Sequence, residues 1–268
     1  MWIGIEIGIA AYCALVGGLF VFQRRLMYFP VKIIAPPSAF GLKGVEDIIL
    51  ETSDNVKLQT WVHAARPGYP TLLYFHGNAV HLGERAPWFS AYIDAGFGLV
   101  AVSHRGFGKS EGSPTEAELY TDARIAIDYA QGTLKIPSKK LIYFGESLGS
   151  GVAVQMATEH SPGLLVLQAP YTSVETRAAE LYPFVIGVRH LVRDKYDSLS
   201  KISSVEAPLL ILHRAKDAII PLRHGEALFA AANQPKTLVV YPEAHHDDYS
   251  GEQLLTPLVE AARKYGLI

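Results

Sequence analysis

The chain contains 268 residues, with 24 Lys and Arg against 26 Asp and Glu, which gives a formal net charge of −2. A length of this order suits one large α/β domain with a single hydrophobic core. The balanced charge argues against a nucleic-acid-binding protein, which would carry a basic stripe. The single cysteine, Cys13, excludes an internal disulfide framework.

The amino-terminal stretch is almost wholly apolar. From Trp2 to Phe22 only Glu6 is charged, and Gln23-Arg24-Arg25 follows this run of 21 residues. As a helix the run would extend about 31 Å, close to the roughly 30 Å core of a bilayer. A cleaved signal peptide would place Lys or Arg before the apolar run, and this sequence does not. We therefore predict an uncleaved single-pass transmembrane anchor over residues 1–25, and the arginines on its carboxyl side favour a cytoplasmic location for the rest of the chain.

The remainder of the chain alternates short apolar runs with helical patterns. Residues 26–44, which include Pro36-Pro37, are predicted to be a linker, and residues 45–268 the folded domain. Strands are predicted at Val45–Thr52, Val56–Ala64, Thr71–Phe75, Leu99–Ser103, Leu141–Phe144, Leu164–Gln168, Leu209–His213 and Thr237–Tyr241, and helices at Glu84–Ala95, Glu116–Ala130, from Ser147 to His160, Ala227–Ala232 and Leu254–Tyr265. Such alternation is typical of an α/β fold with a mostly parallel sheet covered by helices on both faces, which binds ligands beyond the carboxyl ends of its strands.

Two Gly-x-Ser-x-Gly motifs occur in the sequence, and their surroundings distinguish them. The motif at 145–149 follows a predicted strand and precedes a predicted helix, which is the context that exposes a nucleophilic serine at the end of a sheet. The motif at 108–112 follows a polar loop, and Ser113-Pro114 interrupts any immediate helix. We therefore predict that Ser147 is a nucleophile and that the other motif is a loop.

A serine nucleophile needs a base, and the base needs an acid that orients it. Asp217 follows one predicted strand, and the neighbours His245 and His246 follow the last one. We predict Asp217 as the acid and one of these histidines as the base, whereas Asp194 and Asp197 lack a preceding strand. Adjacent histidines do not reproduce the separated ligands of common zinc motifs, so we predict no metal ion and no cofactor.

An oxyanion hole is predicted from two main-chain N–H groups. One belongs to Leu148, which follows the nucleophile, and the other to the loop after the strand at 71–75. That loop has the sequence His76-Gly77-Asn78-Ala79, and we predict Asn78 as its donor residue. His76 precedes the serine in the chain and is interpreted as a structural residue.

Together these motifs resemble the alpha/beta-hydrolase family, and especially its membrane-anchored serine hydrolases with a His-Gly-Asn-Ala oxyanion loop. The resemblance rests on residues 75–79, 105–112 and 145–149 and on the two later loops. In relatives the final motif is His-Asn-Asp, which aligns His246 with the base, while Asp247 replaces the asparagine and His104 an aromatic residue. The resemblance implies cleavage of esters or thioesters through an acyl-enzyme, with lipid esters or S-acylated proteins as substrates.

Residues 171–200 lie between two predicted strands and include an apolar run. We predict that they form a small lid whose apolar part receives an acyl chain, with Tyr171, Tyr182 and Phe184 as contacts. A packed connecting helix is the alternative interpretation.

Two alternative functions remain open for the whole chain. One is a binding or scaffold protein that kept the fold without activity, and the other is a peptidase of the same fold.

Overall fold

The computed structural model describes residues 2–33, 35–242, 246 and 249–268. Within this part of the chain the strands are β1 (Glu46–Glu51), β2 (Lys57–His63), β3 (Thr71–Phe75), β4 (Gly98–Val102), β5 (Leu141–Glu146), β6 (Leu164–Gln168), β7 (Leu209–Arg214) and β8 (Lys236–Tyr241). They form one sheet in the order β1-β2-β4-β3-β5-β6-β7-β8. β2 pairs antiparallel with β1 and with β4, and the other pairs are parallel. The predicted mostly parallel α/β fold is confirmed.

The helices of the described residues are α1 (Trp2–Met27), α2 (Ala86–Asp94), α3 (Glu116–Asp128), α4 (Leu148–Glu159), α5 (Val174–Leu181), α6 (Val188–Leu191), α7 (Ser198–Lys201), α8 (Arg223–Ala231) and α9 (Gly251–Lys264). Short 3-10 turns occur at Pro37–Phe40, Leu82–Arg85, Ser138–Lys140 and Ile202–Ser204, and a π-helical turn at Tyr129–Thr133. Side-chain caps set several of these starts. Thr115 accepts a hydrogen bond from the Glu118 amide at α3, and Ser250 forms a capping box with Gln253 at α9.

Two hydrophobic cores cover the two faces of the sheet. Because successive strand residues point to opposite faces, Leu73 and Phe75 of β3 join the core beneath α3, α4 and α8, while Leu72 and Tyr74 join the core beneath α2 and α9. Every residue of β3, β4, β5, β6 and β7 is buried. These strands therefore appear in the sequence as continuous apolar runs rather than alternating ones.

The structure corrects several predicted boundaries. The helix expected from Glu84 begins as a 3-10 turn and becomes α2 only at Ala86, because Pro87 lacks an N–H and is tolerated in the first helical turn. The helix expected at 227–232 begins four residues earlier, at Arg223. The predicted linker contains a 3-10 turn at Pro37–Phe40, which begins at Pro37 because a proline is tolerated at the first helical position.

Helix α1 is long and apolar enough to cross a membrane, with a candidate span at Ile5–Met27 of mean hydropathy 2.1. By length and composition it fits either a membrane anchor or a signal sequence. From Tyr12 onward one side of α1 lies against residues 174–194. The Tyr12 hydroxyl lies 2.8 Å from the Ile186 amide nitrogen, and the Arg24 Nε lies 2.9 Å from Asp194 Oδ2. The helix is thus fixed to the segment that was predicted as a lid.

Candidate active site

The Gly-x-Ser-x-Gly motif at 145–149 places Ser147 on a tight turn between β5 and α4. Its backbone has φ 46° and ψ −111°, a conformation that costs energy for a residue with a side chain. A Cβ atom added at Gly145 would lie 2.5 Å from the Gly149 oxygen, and one added at Gly149 would lie 2.1 Å from the Phe75 oxygen. Both motif glycines are therefore required by the close approach of strand, turn and helix.

The structure brings together Ser147, Asp217 and His246, which were predicted as nucleophile, acid and base. His246 Nε2 lies 3.2 Å from Ser147 Oγ, and His246 Nδ1 lies 2.6 Å from Asp217 Oδ2. Asp217 Oδ1 accepts hydrogen bonds from the amides of Ile219 (2.9 Å) and Ile220 (2.7 Å). One carboxylate oxygen is thus fixed by the backbone and the other faces the imidazole, the arrangement that supports proton transfer from a serine.

The carboxylate of Asp217 is buried yet held in its charged form. Burial would raise its pKa, but the hydrogen bond and positive charge of His246 and the Ile220 N–H outweigh that effect, so the pKa lies below its ordinary value. An ionised acid can fix the Nδ1–H tautomer of the imidazole. His245, the alternative base, lies outside the described residues, as does Asp247.

His213 supports the loop that carries Asp217 and was not recognised from the sequence. Its side chain is fully buried, and its Nε2 lies 2.8 Å from the Ile220 oxygen. A carbonyl oxygen only accepts, so Nε2 carries the proton, and burial lowers the pKa of this histidine, which keeps it neutral. The available signal was its position at the end of a strand, four residues before Asp217.

The loop at 76–79 is fixed by two histidines. His76 Nδ1 lies 2.7 Å from the Gly77 oxygen, its Nε2 accepts from the His104 amide at 2.9 Å, and His104 Nε2 lies 2.9 Å from the His76 oxygen. Burial lowers the pKa of His76 to about 4 and that of His104 well below its ordinary value. Both rings are therefore neutral hydrogen-bonding groups, which fits a structural role for His76.

Asn78 uses its side chain to contact the end of α1. Its Nδ2 donates to the Met27 oxygen at 2.5 Å, and its Oδ1 accepts from the Phe29 amide at 3.0 Å. Both polar atoms of the side chain are thus hydrogen-bonded at the end of α1. The main-chain N–H of Asn78 is therefore the group of this residue that is available to a substrate. The amide of Leu148 begins α4, where helix N–H groups lack partners within the helix and favour negative charge.

Comparison with known proteins shows the family of the chain. Residues 69–195 match the family model described as serine aminopeptidase, S33. An uncharacterized protein of Mycobacterium tuberculosis is 37% identical over 228 residues, which cover 84% of this chain and 81% of that protein. The alpha/beta hydrolase domain-containing protein WAV2 of Arabidopsis thaliana is 30% identical over 257 residues, which cover 86% of this chain and 83% of that protein. The chain belongs to the alpha/beta-hydrolase family.

Solved structures show the same fold for this alpha/beta hydrolase. The esterase Pf2001 of Pyrococcus furiosus superimposes with a TM-score of 0.67 and 20% identity, covering 89% of the hydrolase and 97% of that chain. The ferulic acid complex of Est1E from Butyrivibrio proteoclasticus gives a TM-score of 0.64 at 18% identity, over 82% and 98% of the two chains. At these identities the similarity establishes the fold alone.

A buried ion pair of the hydrolase lies directly behind the nucleophile turn. Glu146, the residue before Ser147, is 3% exposed and accepts hydrogen bonds from Tyr74 (2.5 Å) and from Arg85 Nη2 (2.6 Å). A Cβ added at Gly77 would lie 2.9 Å from Glu146 Oε1. Glu146 therefore lies between the turn at Ser147 and the loop at 76–79, a position that the sequence did not reveal.

The three residues predicted to contact substrate lie in different settings. Tyr171 is 3% exposed, and its hydroxyl donates to the Leu148 oxygen at 3.2 Å, so it supports the start of α4 from within the core. Tyr182 lines a cavity, and Phe184 is exposed at the tip of the insertion. The base of the insertion is anchored, since Glu180 of α5 lies 3.1 Å from His224 Nε2 on α8.

That cavity, of about 200 Å³, lies between α1 and the insertion of the hydrolase. Apolar side chains from both elements form most of its lining, among them Val16, Leu19, Met27, Ala178, Val185 and Val188.

Among the described residues, no group of three or more His, Cys, Asp and Glu side chains is placed to hold a metal ion. His245, Asp247 and Asp248 lie outside that part of the chain, and the absence of a metal ion stays a prediction.

Proposed function

We propose that this alpha/beta hydrolase is a serine hydrolase that cleaves carboxylic esters or thioesters of lipid-like or acylated substrates. The observation that carries the proposal is the continuous hydrogen-bonded chain from Ser147 Oγ through His246 to Asp217, with distances of 3.2 and 2.6 Å. A serine hydroxyl, an imidazole and a buried carboxylate bonded in this order support the proposal, because acyl transfer requires a nucleophile, a base and an acid in that sequence.

In the proposed reaction, Ser147 Oγ attacks the carbonyl carbon of the substrate while His246 Nε2 takes its proton. Asp217 keeps the imidazole in the required tautomer and stabilises the imidazolium that forms. The main-chain N–H groups of Asn78 and Leu148 donate to the oxyanion of the tetrahedral intermediate, and the start of α4 adds a favourable dipole. His246 then protonates the leaving oxygen or sulfur, and an acyl-enzyme remains.

Deacylation repeats these steps with water. His246 removes a proton from the water that attacks the acyl carbon, and it returns the proton to Ser147 Oγ as the acid is released. No step requires a cofactor.

A serine-reactive fluorophosphonate probe tests the proposal directly. The purified protein should be labelled, and Ser147→Ala should abolish labelling. Ser110→Ala, in the Gly-x-Ser-x-Gly motif at 108–112, is the matched control and should keep labelling. Thermal unfolding is measured on both variants. Absence of labelling in the unaltered protein would support the scaffold alternative, and equal labelling of Ser147→Ala would assign the reaction to another residue.

Peptide hydrolysis is a second candidate because the matching family model is described as that of a serine aminopeptidase. The apolar lining of the cavity favours acyl chains over charged peptide termini. Rates measured on a p-nitrophenyl acyl ester series and on aminoacyl p-nitroanilides decide between them. A preference for the anilides would refute the ester proposal.

We further propose that α1 anchors the protein, with residues 26–44 connecting it to a catalytic domain at 45–268 on the cytoplasmic side. The support is the apolar span at Ile5–Met27 and the basic pair Arg24-Arg25 near its carboxyl end. A protease added outside intact cells should leave the domain uncut. Digestion of the domain from outside would reverse the assigned orientation.

A further inference from the structure

Helix α1 has a face that matches the insertion. The half-buried residues after the first ten positions include Tyr12, Val16, Leu19, Gln23 and Met27, which recur at intervals of three or four residues. Residues separated in this way lie on one side of an α-helix. A helix that served only as a tether would need no such face, so this side of α1 is part of the folded structure.

Polar contacts fix the helix to the insertion at two levels. Tyr12 lies against the backbone of Phe184 and Ile186, and Arg24 pairs with Asp194. These two levels are twelve residues apart, or about 18 Å along a helix. Between them the helix and the insertion do not pack closely, and the cavity of about 200 Å³ lies in this gap.

The lining of the cavity contacts both sides of the proposed active site. Met27 accepts a hydrogen bond from Asn78 of the oxyanion loop at 2.5 Å. Arg177 donates to the Ile219 oxygen at 2.6 Å, and the Ile219 amide in turn donates to Asp217. Two residues that line the cavity are therefore hydrogen-bonded to the loops of the proposed active site, Met27 to the loop at 76–79 and Arg177 to the loop that carries Asp217.

We propose that this cavity binds the acyl chain of the substrate and that α1 is one of its walls. The inference rests on the proposed hydrolase function. It adds where the acyl chain binds and names α1 as the element that limits the length of that acyl chain. The lining is mainly apolar, and the volume is below the roughly 300–1,000 Å³ of sites for drug-sized ligands. A volume of this size leaves room for no more than one acyl chain, and a two-chain lipid would place its other chain outside.

The test compares two tryptophan variants on adjacent positions of α1. Val16 lines the cavity, whereas Leu15 is 50% exposed on another side of the same helix. The full-length protein in detergent micelles is assayed with p-nitrophenyl acetate and p-nitrophenyl palmitate, and the quantity compared is the palmitate-to-acetate ratio of kcat/KM. Val16→Trp should lower this ratio at least tenfold, because about two displaced methylene groups suffice for that factor. Leu15→Trp should leave the ratio unchanged.

A second variant approaches the cavity from its opposite wall. Ala178→Phe on α5 should lower the same ratio of kcat/KM. Because Ala178 lies outside α1, this result would show that the effect of Val16→Trp is not caused by altered binding of α1 to the micelle. Equal ratios for the unaltered protein, Val16→Trp and Ala178→Phe would refute the acyl-chain site. Failure of the proposed function gives a different result, since neither ester would then be cleaved and a fluorophosphonate would not label Ser147.

Discussion

Replacing Asp217 by asparagine changes one atom of the proposed acid and reverses the hydrogen bonding of the base. Asp217 Oδ1 accepts from the Ile219 and Ile220 amides, at 2.9 and 2.7 Å. An asparagine must keep its carbonyl oxygen in that position, because its NH₂ group cannot accept from two amides. The NH₂ group then takes the place of Oδ2 and faces His246 Nδ1.

The replacement of an acceptor by a donor opposite His246 Nδ1 determines how much activity is lost. A donor opposite Nδ1 favours the imidazole tautomer with its proton on Nε2, the nitrogen 3.2 Å from Ser147 Oγ. An imidazole in this tautomer cannot accept the serine proton. The negative charge of Asp217, which would stabilise the imidazolium, is also absent from the variant. We expect kcat/KM for p-nitrophenyl esters to fall about 10⁴-fold, the size of effect known when a triad acid loses its charge in intact geometry.

The assay is steady-state ester hydrolysis at neutral pH, together with the fluorophosphonate labelling rate and thermal unfolding. Asp194→Asn is the matched control, since Asp194 is also buried but pairs with Arg24 instead of His246. It should retain at least a tenth of the activity. A folded Asp217→Asn variant with more than about one hundredth of the activity would refute the role assigned to Asp217.

Three further predictions concern the groups around the nucleophile turn and the acid stability of the domain. Arg85→Met should lower the free energy of unfolding in urea by about 3–5 kcal/mol, because it leaves the buried Glu146 without its charged partner; adding Glu146→Gln should restore part of the loss, and additive effects would contradict the pairing. Asn78→Ala should slow fluorophosphonate labelling about tenfold at unchanged probe concentration, because the loop loses both hydrogen bonds to the end of α1; an unchanged rate would show that these bonds do not position the loop. Hydrogen bonds from Arg105 lower the pKa of Asp54 to about 2 from 3.8, so its contribution to stability is complete above pH 4 and is lost as the pH falls towards 2. The Tm difference between the unaltered protein and Asp54→Asn should accordingly shrink over that range, and a constant difference would refute the assignment.

Much of the fold could be predicted because the informative residues are close together in the chain. The central strands are buried on both faces, and each appears as an uninterrupted apolar run such as Leu141–Phe144. Ser147 was distinguished from Ser110 by what precedes and follows it. The order of serine, acid and histidine along the chain then predicted which loops would meet at one edge of the sheet.

The groups that the sequence did not reveal depend on contacts between distant segments. Glu146 contacts Arg85, 61 residues away, and Asn78 contacts Met27 at the end of α1, 51 residues away. A buried polar residue shows no periodicity that indicates its partner, so only the folded chain identifies it. The contribution of α1 to the cavity was also missed, since an apolar run of membrane-spanning length predicts an anchor and gives no sign that one face packs against the domain.

The contact between Tyr12 and the insertion has a consequence for how deeply the protein sits in a bilayer. Ten helical residues, 2–11, precede Tyr12, and they extend about 15 Å, half of the roughly 30 Å hydrocarbon thickness. An α1 that crosses the whole membrane with this contact intact must carry the tip of the insertion into the hydrocarbon. Phe184 and Ile186, which are 54% and 86% exposed, would then face lipid tails instead of water.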